Sequence, residues 1–165
     1  MSTPPDWLPP EMSALWDAFA TDPMIGVWAV DAADFRVIFA DETAAHLIAR
    51  TAPEAVVGLS VRHHAPDPVA DRLCRLLDHV VSTGTPIIGQ AVWQGRRVRS
   101  TFSPLGDEEG RVERILVVTR PAPADAPERE VMLVDEAEYC HLGPLDKLTT
   151  RELEVLAYLG QGLSI

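Results

Sequence analysis

Cysteine is scarce. The chain has two in 165 residues, Cys74 and Cys140, far apart and in different segments. Two lone thiols build neither a disulfide framework nor a zinc site, so both are expected to be reduced. Basic residues are also few: 14 Lys and Arg stand against 25 Asp and Glu, a net charge of −11. Phosphate backbones are gripped by clustered Lys and Arg, so these residues are not expected to bind DNA tightly by themselves. No apolar run approaches the roughly 20 residues of a membrane-spanning helix. Residues 1–10 lack the basic flank and apolar centre of a secretion signal. A cytoplasmic chain with no membrane partner is expected. Catalytic text is missing too: there is no Gly-rich phosphate loop and no serine in a nucleophile-elbow pattern. The carboxylates fall mainly in turns and a linker, so no enzymatic activity is expected.

What is present is an ordinary globular composition, 47% hydrophobic and 24% charged, with room for one domain plus appendages. A proline-rich start leads into a stripe of Met12, Leu15, Trp16 and Phe19 at helical spacing, stopped by Thr21-Asp22-Pro23. A strand is expected over 25–30, a turn over 31–34 and a partner strand over 35–40. Asp41 can cap a short helix over 42–49. Thr51 and Glu54 have capping-box spacing ahead of a turn of helix ending at Gly58. A loop holding His63 and His64 follows. Asp67-Pro68 pairs a cap with a first-turn proline, and the helix it starts should run to about Ser82. Its stripe is Val69, Leu73, Leu76, Leu77, Val80 and Val81. Three strands come next, 86–93, 97–103 and 112–120, joined by turns at Gln94-Gly95 and 107–110. Val98 and Phe102 share a face with Ser100 between them. The run from Ile115 to Val118 suits a central strand covered on both sides. Residues 121–129 read as a linker, and 131–139 as a further strand or an extended strap.

Two strands, short helices, one longer helix and three antiparallel strands form an order that resembles the PAS fold, over 24–121. Two local stretches carry the resemblance further: Phe39-Ala-Asp-Glu-Thr-Ala-Ala-His-Leu47, and the acidic-apolar-Gly-x-Ser turn Glu54-Ala-Val-Val-Gly-Leu-Ser60. Asp41 stands where Asn is commoner. The resemblance implies an α+β domain with a five-stranded antiparallel sheet of order 2-1-5-4-3. Helices would cover one face, over a small cavity. Trp28, Phe39, Leu47, Leu73, Leu77, Ile88 and Phe102 are the candidate lining residues, and plain core filling would explain the same side chains. PAS-type regulators pair through a flanking helix, so Met12, Leu15, Trp16 and Phe19 are candidates for a homodimer interface. Trp93, taken to lie on the uncovered sheet face, would join them. The alternative for the stripe is packing on its own sheet. PAS domains also hold haem. An axial histidine would have to face the cavity, and His79, at the edge of the long helix's stripe, is the candidate. His46 lies on the short helix. No cofactor is expected, and the Asn-Cys-Arg context of a flavin photoreceptor is missing.

The C-terminal text, Leu148-Thr-Thr-Arg-Glu-Leu-Glu-Val-Leu-Ala-Tyr-Leu-Gly-Gln-Gly-Leu-Ser-Ile165, combines several helix signals. Thr149 and Glu152 form a capping box, and Leu148 with Leu153 a hydrophobic staple. Leu153, Leu156 and Leu159 make an apolar face, and Gly160 and Gly162 suit the end. The string is similar to the opening of a LuxR-type helix-turn-helix domain. In such a domain a later helix enters the major groove; only the first helix and turn are here. DNA would be reached only through the absent helices. A fragment of a longer regulator is expected in preference to a naturally shortened one. The expected organisation is an arm and flanking helix (1–23), a PAS-like sensor (24–121), a linker or strap (122–146) and the truncated helix-turn-helix (147–165). The implied function is a sensory and dimerisation module that couples a small ligand or signalling partner to a LuxR-type DNA-binding domain. The alternatives are a ligand-free dimerisation module and a haem-based gas or redox sensor.

Overall fold

The computed structural model describes residues 4–8, 16–17, 22–107, 109–122 and 140–160. Its first strand, β1 (Gly26–Asp31), begins at a glycine for a steric reason. A Cβ on Gly26 would sit 2.8 Å from the Ala44 Cα, so a helix backbone lies directly on the strand. That helix is α1 (Glu42–Ala49), entered from β2 (Val37–Ala40). Asp41 makes the junction. Its carboxylate accepts from the Ala44 N–H at 2.6 Å, capping the helix, and from the Val27 N–H at 3.0 Å. The Asp41 N–H donates to the Val27 carbonyl. Asparagine has a single acceptor oxygen, and Asp41 uses one on each backbone N–H. Burial raises the Asp41 pKa against these hydrogen bonds, which lower it.

Helix α2 (Asp67–Thr83) buries Val69, Leu73, Leu76, Leu77 and Val80, the expected stripe, with Val81 half-buried. It closes on Gly84 in the left-handed region, φ 61°, whose N–H returns to the Val80 carbonyl. Two expected caps are not formed. Asp67 is the first helical residue, not the cap, and Pro66 precedes it without a side-chain bond; the proline rings set the first turn. Thr51 and Glu54 make no capping box either. Ala52 occupies the cap position of a single 3-10 turn, Pro53–Ala55, too short for the reciprocal pairing.

Strands β3 (Ile87–Trp93), β4 (Arg96–Gly106) and β5 (Val112–Pro121) complete the antiparallel sheet. The turn between β3 and β4 is Gln94-Gly95, both at positive φ (49° and 76°), the backbone a two-residue hairpin requires. The expected order 2-1-5-4-3 is present and is extended by one short strand, β6 (Cys140–His141), parallel to β3: β2-β1-β5-β4-β3-β6. The core lies between the sheet and the helices, around Val30, Val37, Leu77, Ile115 and Val117. β5 is central, but Leu116 and Val118 on its other face are only half-buried, since the helices cover one side. A 3-10 turn, Gly143–Lys147, leads to helix α3 (Thr150–Gly160). No described helix is long and apolar enough to cross a membrane. Met12, Leu15 and Phe19, the linker and strap 123–139, and Gly162 lie outside the described residues.

Candidate functional site: a cavity between sheet and helices

The inner sheet face and the helices enclose a cavity of about 70 Å³, room for roughly two water molecules at about 30 Å³ each. Strand alternation supplies one wall. Trp28 on β1, Val37 on β2, Ala91 and Trp93 on β3, Val98, Ser100 and Phe102 on β4, and Thr119 on β5 all face it. Leu47 and Ile48 of α1, Leu73 of α2, and Val61 and His64 of the 3-10 turn Val61–His64 close it. No carboxylate, lysine or arginine lines it.

Its polar groups fall into two sets. On the sheet, the Trp28 Nε1–H donates to Thr119 Oγ1 at 3.2 Å, and Thr119 Oγ1 lies 2.9 Å from Ser100 Oγ. These three side chains come from neighbouring strands, through the pairings Trp28↔Val117 and Ser100↔Thr119. Opposite in kind is His64. Its Nε2 is buried and has no hydrogen-bond partner among the described residues. Burial, with His63 adding to it, lowers the His64 pKa, so the imidazole is neutral near pH 7. The turn carrying His64 is fixed on both sides. Ser60 Oγ accepts from the Arg62 N–H at 3.4 Å, and Arg62 pairs with Asp71 of α2 at the surface. The loop before it runs along β2, with Val37 N–H to Leu59 O and Gly58 N–H to Val37 O.

The rim of the cavity leads outward. The C-terminal end of α1 is held by the β3–β4 hairpin: the Ile48 carbonyl accepts from Trp93 Nε1–H (3.1 Å) and from Gln94 Nε2–H (2.8 Å). Trp93 is also the residue paired with His141 of β6. Beyond β6, the Leu142 N–H donates to Asp146 Oδ1. The chain then reaches Thr149, whose N–H and hydroxyl both donate to Glu152 Oε2 at 2.8 Å, while the Glu152 N–H returns to Thr149 Oγ1. That capping box is the expected one, and its hydrogen bonds hold the Glu152 carboxyl below its ordinary pKa. Leu153 is half-buried, and Leu156, Tyr158 and Leu159 are exposed.

Of the expected lining residues, Trp28, Leu47, Leu73 and Phe102 border the cavity. Leu77 is fully buried in the core beside it. Phe39 and Ile88 do not face it. A register shift between Ala29 and Val30 puts Val37 and Ala40 inward, so Phe39 turns to the other side. There its ring meets Trp16 edge-on at 5.0 Å and Trp7 at 6.5 Å. Trp16 is therefore buried against its own sheet. On β3 the alternation is opposite to that expected. Ile87, Gly89, Ala91 and Trp93 share the inner face, in register with β4 through Ile87↔Phe102 and Trp93↔Arg96. That one-residue difference moves Ile88 out and Trp93 in, so Trp93 is a cavity wall and not part of an open sheet face. His79, the candidate haem ligand, is exposed and does not line the cavity. The cavity as it stands, about 70 Å³, is smaller than a porphyrin. Among the described residues, no three His, Cys, Asp or Glu side chains are placed to hold a metal ion.

Sequence reasoning missed His64, Ser100 and Thr119 as site residues. A signal for the two hydroxyls was there: each is a polar residue in phase with buried apolar neighbours, Val98 and Phe102 for Ser100, Ile115 and Val117 for Thr119. For His64 there was none, because a histidine in a 3-10 turn has no periodicity to read.

Comparison with known proteins agrees with this geometry. The family model described as "PAS fold" matches residues 21–122. No curated protein matches the chain in sequence. Among solved structures, the PAS domain of BvgS from Bordetella pertussis is 15% identical at a TM-score of 0.53, covering 93% of this chain and 98% of that one. The VqmA dimer of Vibrio cholerae, described among LuxR-type receptors, is 18% identical at a TM-score of 0.54, covering 70% of this chain and 52% of VqmA. The chain thus spans about half the length of that VqmA chain. A domain of an HTR-like protein from Haloarcula marismortui is 15% identical at 0.51, covering 62% and 100%. At such identities the likeness is one of fold, and together with the family match over most of the chain it places this protein in the PAS-fold family.

Proposed function

We propose that this chain is the signal-input module of a LuxR-type transcription regulator, in which a small ligand in the cavity biases the segment leading to α3. The observation that carries the proposal is the position of Trp93. One residue lines the cavity, clamps the end of α1 through Ile48 and pairs with β6, the strand that leads to the capped helix. A ligand can shift such an arrangement only by the difference in its affinity for two states; Trp93, with its side chain on the cavity and its backbone paired with the exit strand, is where that difference would act. Support comes also from the Thr149–Glu152 capping box, which opens a helix similar in text to the first helix of LuxR-type domains, and from VqmA, a fold neighbour at 17% identity solved bound to DPO. No enzymatic step is assigned.

Native mass spectrometry of the purified chain tests the reading. A small bound mass is expected, lost in Ser100→Phe, which fills the cavity. Bare protein in both forms would contradict ligand sensing and favour the pure dimerisation module. The same spectra report whether the chain is a homodimer, as expected here.

A further inference from the structure

Resting on that reading, we infer that the cavity selects an uncharged small molecule bearing a hydrogen-bonding group for His64 Nε2, with the Ser100–Thr119 hydroxyl pair as its second polar contact. The charge requirement follows from the lining. No acidic or basic side chain faces the cavity to pair with an ion, and an unpaired charge taken from water is strongly disfavoured. The group requirement follows from which polar atoms remain unsatisfied. The Trp28 indole N–H is already spent on Thr119, and Thr119 and Ser100 share a bond. His64 Nε2 has no partner among the described residues although it is buried. A ligand that completes it gains a hydrogen bond that an apolar isostere leaves unmade, about a tenfold difference in affinity. Carboxylates and ammonium ions of the same size are excluded by the apolar remainder of the wall.

Two five-membered rings of nearly equal size separate these requirements. Pyrazole is neutral and carries an N–H donor and a nitrogen acceptor. Furan has no donor and is a weak acceptor. Both are titrated into the full chain at pH 7.5 and followed by amide and imidazole nitrogen shifts in NMR. Pyrazole is expected to bind about tenfold tighter than furan, and His64→Phe is expected to cut the difference to what the hydroxyl pair alone provides. In the unmutated chain the imidazole signal of His64 moves with pyrazole and stays with furan, a readout independent of whether the variant folds. Equal affinity for the two rings, or a preference undiminished in His64→Phe, overturns the assignment to His64 while leaving a ligand-binding cavity intact. Pyrazole-4-carboxylate bound as tightly as pyrazole overturns the charge requirement. If neither ring binds while native mass spectrometry finds a bound mass, this inference falls and the ligand-sensing reading stands.

Discussion

The body over 22–122 and the C-terminal segment over 140–160 are built by different means. In the body, helices and strands bury their apolar faces on one another, and α2 alone buries seven side chains. Helix α3 buries none, yet its N-terminus is more completely capped than that of α2, which has no side-chain cap at all. Burial holds α2 in place between its proline-set start and Gly84, and local hydrogen bonds set the start of α3. An 11-residue helix is marginal without tertiary packing, so α3 depends on its capping box, while Leu156, Tyr158 and Leu159 stay exposed. Among the described residues, the two regions meet where β6 pairs with Val92 and Trp93 of β3.

If the body is held by burial, Leu77→Ala should have the largest effect. Removing a fully buried leucine costs about 3 kcal/mol, a fall of roughly 15 °C in thermal midpoint for a domain of this size, read by calorimetry. Asp41→Asn comes next, since one backbone N–H of the pair Ala44 and Val27 loses its acceptor. About 1–2 kcal/mol, or roughly 5–10 °C, is expected; an unchanged midpoint would mean that the junction needs only one oxygen. Acidification is smaller. The His64 pKa is lowered in the folded chain from 6.5, so the unfolded chain binds the proton more readily. The stability is fully present above that value and declines as pH falls from it through the lower folded value. The midpoint should drop between pH 7.5 and 5.5, and less so in His64→Phe. Smallest for the body is Thr149→Ala. Helical signal from α3 should decrease in circular dichroism, with the body's midpoint unmoved to within about 1 °C, because a cap stabilises only its own helix. A coupled loss of body stability would erase the distinction between the two regions.

The sequence made the order of elements readable because each has a strong local marker: the α2 stripe, the Asp41 cap, the positive-φ pair Gln94-Gly95, the Thr149–Glu152 box. The sheet order followed from the resemblance to PAS domains. Which residues meet in the cavity was less readable. A strand's two faces are separated by a single residue of register, so one slip on β3 exchanged Ile88 and Trp93, and one irregularity beside Val30 turned Phe39 outward. Those positions are decided by pairing with β4 and β1, which no local pattern encodes. His64 depends on supports from outside its own turn, the β2 edge and Asp71, beside the local Ser60 cap.

Hydrogen–deuterium exchange of the chain with and without saturating pyrazole tests the coupling most directly. The account predicts altered protection at the cavity walls and also at Cys140–His141 and the first turn of α3. Change confined to the walls, with β6 and α3 exchanging as before, would contradict it.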